Sequence, residues 1–367
     1  MGEQTNRQIS IDVLRGFAMF LILSMDIGGA PIFETFTRLW GEDFAKAAAD
    51  QFSYPFVHGL KLCFIAMPMF LFVVGLVMPF SLNNRREKKD NKKIYGHIVK
   101  RSLILFILGL IAGGHLLHLE FANMPVYNNV LEYISISYLV CAVLILNTNT
   151  RVQMIVTGIL LLLYWLLFVF IPVPGGGGDH FSKQMNLAIY IDNILLGPFH
   201  SPGSGRVLST ISFIANMLLG VFAGQIIFGN RDKKEKVKRL FIYGAAMVLA
   251  GTVWGQFYPV IRVLWTSSFV LVTCGISTLL LAFLYLIIDI WGYSKWAFFF
   301  VLFGANSIAI YMMAHLFDFR LIGDVFVGGL SRLFGPNGHD FIQAVGAMTV
   351  MWLIVYWMYR KKIFIKV

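Results

Sequence analysis

Three side chains that can take part in acid–base chemistry open the most apolar stretch of the chain. Tyr54, His58 and Lys61 are spaced by four and three residues in QFSYPFVHGLKLCFIAMPMFLFVVGLVMPFSL, residues 51–82. In a helix this spacing places all three on one face. Ionisable groups at membrane depth are costly and usually face a cavity. The pattern predicts a polar site at the mouth of a membrane span, with a merely interfacial histidine as the alternative.

A second charged pair lies at the start of the first apolar run. Asp12 and Arg15 are three residues apart, so a helix brings them to one face, where they can form an ion pair at the inner membrane boundary. A guanidinium also binds phosphate with paired hydrogen bonds. Arg15 is therefore a candidate for contacting an anionic group that enters from the cytoplasm, and the ion pair is the structural alternative.

Two later apolar runs contain further polar candidates. Trp265, Thr266 and Ser267 lie in VLWTSSFVLVTCG, where hydroxyl groups can serve helix packing or line a channel for a polar substrate arm. Asn306 and Tyr311 lie within one predicted span, in GANSIAIYMMAHLFDF. We group these five residues with Asp12 and Arg15 as candidate ligand-binding positions.

Composition places the chain in the membrane. Hydrophobic residues make up 58% and charged residues 13%, and the mean hydropathy is +0.73. The net charge of +11 comes from basic residues clustered between apolar runs, which the positive-inside rule explains without nucleic acid. The three cysteines lie inside apolar runs without paired or metal-type spacing, so we expect no metal site.

The apolar runs predict an all-α bundle of ten membrane spans in one domain, residues 1–367, with both termini cytoplasmic. Residues 174–206 read as an external loop containing a short amphipathic helix. Apolar faces of such a bundle can contact lipid or a second copy in a homodimer. The spans are predicted at residues 11–32, 51–82, 102–119, 129–147, 152–173, 207–228, 240–256, 263–289, 296–316 and 341–359.

Six segments in the same order resemble the heparan-α-glucosaminide N-acetyltransferase family and its bacterial relatives, within the broader transmembrane acyltransferase group. The resemblance covers nearly the whole chain, and the segments that carry it are SIDVLRGFAMF, QFSYPFVHGLKLCFIAMPMFLFVVGLVMPFSL, VLEYISISYL, GRVLSTISFIANMLLGVFAGQII, LWTSSFVLVTCGISTLLLAFLYLIID and FGANSIAIY. The resemblance implies a bacterial inner-membrane enzyme that transfers an acetyl group from cytoplasmic acetyl-CoA to an amino sugar on the far side. Arg15 and the basic loops would bind the CoA phosphates.

The chain departs from the family pattern at the expected catalytic positions. That pattern is H-x-x-W-x-G followed five residues later by Asp, and its three functional positions fall on Tyr54, Val57 and Phe64. An Asn at the end of the first span of acetyltransferase members corresponds to Asp26. The histidine that the resemblance would make catalytic is therefore replaced by Tyr54.

Two interpretations follow from this departure. In the first, His58 lies one helical turn from Tyr54 and acts as the general base, with Asp26 orienting it, because imidazole titrates in the useful range. In the second, the site has lost acetyl transfer, and the protein transports or binds a related ligand or acts on another acyl donor. Transport predicts uptake without consumption of acetyl-CoA.

Overall fold

A computed structural model of the chain describes residues 8–25, 29–39, 51, 59–86, 91–114, 116, 124–173, 180–182, 185–201 and 205–365. These residues form helices and connecting turns, and no β-strand occurs among them. The all-α class predicted from composition and apolar periodicity is therefore confirmed.

The described residues form fourteen α-helices. A 3₁₀ turn at Leu62–Ile65 precedes the third helix, and a π-helical turn at Tyr285–Ile290 continues the tenth. The helices are α1 Ile9–Leu23, α2 Ile32–Arg38, α3 Ala66–Arg86, α4 Asn91–Ala112, α5 Val130–Asn147, α6 Thr150–Phe170, α7 Leu187–Leu196, α8 Arg206–Phe228, α9 Lys233–Trp254, α10 Ser267–Leu284, α11 Phe298–Ala305, α12 Ser307–Leu316, α13 Phe319–Ser331 and α14 Gly335–Arg360.

Eight helices of the described chain are long and apolar enough to cross a membrane, and the bent pair α11 and α12 supplies a ninth if counted as one span. The protein is thus a multi-pass membrane protein. The remaining predicted span, at 11–32, contains α1, whose 15 residues are shorter than the roughly 20 that a bilayer core requires. Part of that predicted span lies outside the described residues.

At two of the wrongly predicted boundaries, a glycine or an extended residue interrupts the helix. The second membrane helix begins only at Leu62, since Gly59 has φ +115° and Lys61 is extended at φ −116° and ψ 155°. At the third span, α4 ends at Ala112 instead of continuing to 119, and Gly114 follows with φ +84°. Such values of φ favour glycine and end a helix.

The helices group into two compact units. Unit 1 comprises Met1–Pro55, Lys61–Phe70 and Leu280–Lys366, and unit 2 comprises Phe56–Leu60 and Leu71–Leu279, together with Val367. Unit 1 therefore contains α1, α2 and α11 to α14. Unit 2 contains α4 to α9 and most of α3 and α10. The prediction of a single domain remains a prediction.

Unit 2 is organised around α8, which approaches α3 with backbone in contact with backbone. A Cβ atom placed on Gly220 would lie 2.1 Å from the carbonyl oxygen of Phe72, and one on Gly224 would lie 2.1 Å from that of Leu76. The two glycines form a GxxxG pair, the spacing that allows membrane helices to pack closely. Small residues here fix the distance between α3 and α8.

In unit 1, polar side chains form hydrogen bonds at the ends of helices. The Asp289 carboxylate accepts the backbone N–H of Ser10 at 3.2 Å and so caps the start of α1. Asn306 stands at the 75° bend between α11 and α12. Its amide donates to the carbonyl of Ile363 at 3.0 Å and accepts the N–H of Ile365 at 3.1 Å. Asn306 therefore ties the C-terminal tail to the bend.

Candidate active site

The three predicted catalytic residues, Asp26, Tyr54 and His58, lie outside the residues that the structure describes. Lys61, the third member of the predicted helical face, is buried and precedes the 3₁₀ turn in extended conformation. The backbone at Lys61 is therefore not helical, and the helical face predicted for Tyr54 and His58 lies outside the described residues.

The residue that follows His58 is anchored in unit 2. The backbone N–H of Gly59 donates to the carbonyl of Val260 at 2.8 Å. Val260 belongs to the connection between α9 and α10, residues 255–266. This connection also contains two of the predicted ligand-binding residues, Trp265 and Thr266, so the hydrogen bond joins two separately predicted regions.

Thr266 and Ser267 are fully buried, and their hydroxyl groups bond within the protein. The Thr266 hydroxyl donates to the carbonyl of Pro259 at 2.9 Å and accepts the N–H of Ile261 at 3.1 Å. Ser267 donates to the carbonyl of Leu161 at 2.7 Å. These bonds hold the connection in a fixed conformation and join α10 to α6.

Trp265 is held in an uncommon backbone conformation by this connection. Its φ is +53°, in the left-handed region that bulky residues rarely occupy. Its ring packs edge-on against Phe213 of α8 at 4.7 Å and against Phe269 of α10 at 5.7 Å. A bulky residue held this way signals strain that the surrounding structure maintains.

Phe213 continues this aromatic packing to a second strained residue. Its ring stacks on Tyr133 at 4.7 Å, and Tyr133 meets Tyr127 edge-on at 5.2 Å. Tyr127 has φ +61°, and its hydroxyl bonds with that of Thr210 at 2.7 Å. Left-handed non-glycine residues cluster at functional sites, and this packing connects two of the three found in the described chain.

Charged groups surround the tyrosines, and we name Tyr127, Glu132, Tyr133, Asp192 and Arg206 the tyrosine–carboxylate cluster. The guanidinium of Arg206 lies over the Tyr133 ring, 5.8 Å from its centroid. The cluster lies at the start of α8, whereas the basic connection to α9 follows the other end of this helix. Because α8 has 23 residues, the two ends are about 34 Å apart.

Asp192 caps α8 from another helix. Its carboxylate accepts the backbone N–H of Arg206 at 2.7 Å and that of Val207 at 3.0 Å, the unpaired donors of the first turn. Gly205 allows this approach, because a Cβ there would lie 2.4 Å from the Cβ of Ala188 in α7. The predicted helix of the 174–206 loop therefore fixes the first turn of α8.

Glu132 is a buried carboxylate with one oxygen unbonded. It occupies the third position of α5, where a glutamate can reach back toward the N-cap. Within the described part of the chain, its Oε2 atom is enclosed and receives no hydrogen bond. A buried carboxylate oxygen without a partner is costly and is usually kept for function.

Burial governs protonation at the members of the cluster outside the predicted spans. It raises the pKa of the Asp192 carboxyl, while the N–H groups of Arg206 and Val207 oppose this effect. Burial also raises the pKa of the Tyr127 phenol above its usual range, so the phenol stays protonated at neutral pH. The Tyr127 phenol can therefore act as a hydrogen-bond donor, whereas burial opposes the negative charge of the Asp192 carboxylate.

In unit 1 the predicted ion pair is confirmed. Arg15 Nη2 lies 2.8 Å from Asp12 Oδ1, and both side chains are partly exposed. Asp12 also lines a cavity of about 430 Å³ together with Lys295 and Tyr359. A cation and a carboxylate thus face the same cavity.

The structure places the other two predicted ligand-binding residues in unit 1 as well. The Asn306 amide is occupied by the C-terminal tail. Tyr311 is buried, and its ring packs on His315 at 4.3 Å. Among the described residues, no group of three or more histidine, cysteine or acidic side chains is placed to hold a metal ion.

The sequence analysis did not identify Asp192 or Arg206 as site residues. One signal was present, since Asp192 is the only charged residue in the apolar run LAIYIDNILL. Its partner lies 14 residues away at the start of another helix, so no local spacing indicates the contact. Tyr127 has no signal in the sequence, because its role depends on its backbone conformation.

Comparison with known proteins identifies relatives over the whole chain. The chain is 25% identical to a mouse heparan-alpha-glucosaminide N-acetyltransferase across its full length, and 25% identical to the human protein of the same name across 98% of its length. It spans 61% and 59% of those proteins, about three fifths of the curated relatives it matches. No family model matches the chain. The resemblance that the motifs indicate is thereby confirmed, since the chain is similar over its whole length to two proteins named heparan-alpha-glucosaminide N-acetyltransferase.

Proposed function

We propose that the protein is a membrane acetyltransferase that uses acetyl-CoA from the cytoplasm of a bacterium and acetylates an amino sugar or related acceptor on the periplasmic face of the inner membrane. The similarity to two N-acetyltransferases over the whole chain carries this proposal. The charge distribution of unit 2 agrees with it. Carboxylates of the tyrosine–carboxylate cluster lie at the start of α8, where they would meet an acceptor ammonium.

The reaction requires one proton acceptor. The acceptor ammonium loses a proton, and its nitrogen then attacks the thioester carbonyl, forming a C–N bond. The C–S bond breaks, the attached nitrogen loses its second proton, and CoA leaves as a thiolate that takes up that proton. The net products are the N-acetyl sugar, CoA thiol and one released proton. General-base catalysis of such a step typically contributes a factor of about 10² to 10⁴.

We assign catalysis to His58 as the general base, to Asp26, which would orient or charge it, and to Tyr54. The hydrogen bond from Gly59 to Val260 supports this choice, because it fixes the residue after His58 to the connection that carries Trp265. His58→Ala should abolish turnover while leaving expression and elution from size-exclusion chromatography unchanged. Undiminished turnover in this variant would remove His58 from the mechanism.

We assign donor binding to Arg15 with Asp12, and to Trp265, Thr266, Ser267, Asn306 and Tyr311. Because both side chains of the Asp12–Arg15 pair are partly exposed, Arg15 can exchange Asp12 for a phosphate group. Since the hydroxyls of Thr266 and Ser267 are engaged by backbone groups, their proposed contribution is to shape the path of the pantetheine arm.

Calorimetric titration of acetyl-CoA into the detergent-purified protein tests the donor assignment, with free CoA and desulfo-CoA titrated alongside. We expect micromolar binding that Arg15→Ala weakens, and less change in acceptor binding. Arg151→Ala is the matched control, since it removes an exposed cation from the same predicted side. Equal weakening by both variants would reject Arg15 as the phosphate ligand.

The replacement of the expected catalytic histidine by Tyr54 favours one other function, transport or binding of a related ligand. Reconstituted vesicles separate the two functions. Accumulation of amino sugar without loss of acetyl-CoA would indicate transport, whereas acetyl-CoA loss matched by acetylated sugar would indicate transfer.

A further inference from the structure

A groove on unit 2 combines a basic rim with an apolar wall. It has a volume of about 880 Å³ and is lined by α6, α8 and α9 and by the connection between α8 and α9. Arg231, Lys238 and Arg239 provide three cations at its rim, and Glu235 provides the one carboxylate. We call it the basic groove. It lies at the end of α8 away from the tyrosine–carboxylate cluster.

Its cations are not neutralised by the protein. Arg239 Nε pairs with Glu235 Oε1 at 2.6 Å. Arg231 and Lys238 have no ion-pair partner within the described ranges, and both are exposed. The lining therefore carries a net charge of about +2, and an anion bound by Arg231 and Lys238 would neutralise this charge.

The apolar wall continues from the rim along α9. Glu235, Lys238, Ile242 and Ala246 lie on one helical face, because they are spaced by three or four residues. From Lys238 to Ala246 the face extends about 12 Å, into the depth at which lipid chains pack. Phe222 and Ile226 of α8 form the facing wall.

This wall is open to the bilayer. Only 22% of the most apolar 18-residue stretch of α9 is buried inside the protein, and the Ile242 side chain is 56% exposed. The polar groups at the base of the groove are satisfied, since Gln225 donates to Gln153 at 3.2 Å and Tyr243 donates to the carbonyl of Leu219 at 3.2 Å. The lining is therefore complementary to a ligand that is anionic at one end and apolar at the other.

We propose that the basic groove binds one anionic phospholipid. Its phosphate lies beside Arg231 and Lys238, and one acyl chain follows the wall formed by Phe222, Ile226 and Ile242. Basic pockets between membrane helices commonly hold anionic headgroups. The continuity of the wall with the lipid-facing surface favours a lipid over a soluble anion. The proposal does not rest on the acetyltransferase function.

Native mass spectrometry of the delipidated protein in non-ionic detergent tests this site, with dioleoyl phosphatidylglycerol as the probe. We expect one saturable lipid and at least tenfold weaker retention of dioleoyl phosphatidylcholine, which has the same chains and no net charge. The double variant R231A and K238A should weaken phosphatidylglycerol binding roughly thirtyfold, from about 1 kcal/mol per cation.

The experiment also includes a matched control variant and competition by two soluble anions. The double variant K93A and K100A removes two exposed cations on α4 outside the groove, and it should retain the lipid. Retention of the lipid by the groove variant, loss in both variants, or equal binding of the two lipids would overturn the proposal. Displacement of the lipid by inorganic phosphate or CoA would also overturn it, because the groove would then be a soluble-anion site.

Discussion

The consecutive helices α8 and α9 have similar length but opposite surroundings. They contain 23 and 22 residues. In the most apolar 18-residue stretch of each helix, however, 72% of α8 is buried inside the protein, compared with 22% of α9. Contacts on several sides fix α8, whereas much of α9 faces the bilayer. Because lipid is as apolar as a protein core, hydrophobic composition alone does not distinguish a central helix from a peripheral one.

The two helices also begin differently. Asp192, buried in α7, caps α8, whereas α9 is capped by its own Asp232, whose exposed carboxylate accepts the N–H of Lys234 at 3.1 Å. The first cap joins two helices, and the second satisfies only a local donor. Equivalent substitutions should therefore cost more in α8 than in α9, and four variants test this comparison.

The largest expected effect is at the contact between α8 and α3. Gly220→Ala places a methyl group 2.1 Å from a backbone oxygen, which cannot move without shifting a helix. We expect a loss of about 3 kcal/mol, measured as a lower midpoint of thermal unfolding in detergent. Gly158→Ala is the control, since nothing lies within 4 Å of its Cβ. An unchanged midpoint for Gly220→Ala would show that α8 and α3 are not in close contact.

The remote cap should have the next largest effect. Asp192→Ala leaves two N–H groups of α8 without an acceptor, and we expect a loss of about 2 kcal/mol. Asp192→Asn keeps one acceptor oxygen and should lose less. Thermal unfolding of the three proteins at one pH provides the measurement, and identical midpoints would exclude capping by Asp192.

The local cap of α9 should matter less. Asp232→Ala removes one exposed acceptor, and the expected loss is about 1 kcal/mol, because water can replace the carboxylate. The same unfolding assay applies. A loss equal to that of Asp192→Ala would contradict the difference between the two caps.

The smallest effect is expected at the exposed ion pair of α9. Glu235→Ala breaks the contact with Arg239, but both side chains are more than 40% exposed, so the loss should stay below about 0.5 kcal/mol. Unfolding in low and high salt should give the same difference within error. A strong dependence on salt would indicate that the pair belongs to a larger charge network.

The sequence predicted α8 better than α9, and the reason is physical. The predicted span at 207–228 agrees with Arg206–Phe228, because glycine, arginine and asparagine mark its ends. The span predicted at 240–256 begins instead at Lys233, since the basic residues before it continue the helix outside the apolar stretch. Hydropathy locates the membrane-embedded part of a helix, whereas capping determines where the helix begins.

The candidate site was less predictable than the fold. Trp265 and Thr266 could be selected because polar or aromatic groups in apolar runs are conspicuous. The strained φ values of Tyr127 and Trp265, and the cap from Asp192 to α8, depend on contacts between residues distant in sequence. No local spacing encodes such contacts, so a structure was required to find them.

The attachment of the C-terminal tail to Asn306 has a practical consequence for handling the protein. A truncation before Ile363, or a purification tag inserted there, would leave the Asn306 amide unbonded at the bend between α11 and α12. Affinity handles are therefore better placed after Ile365. A shortened tail would be expected to reduce yield through misassembly of α11 and α12.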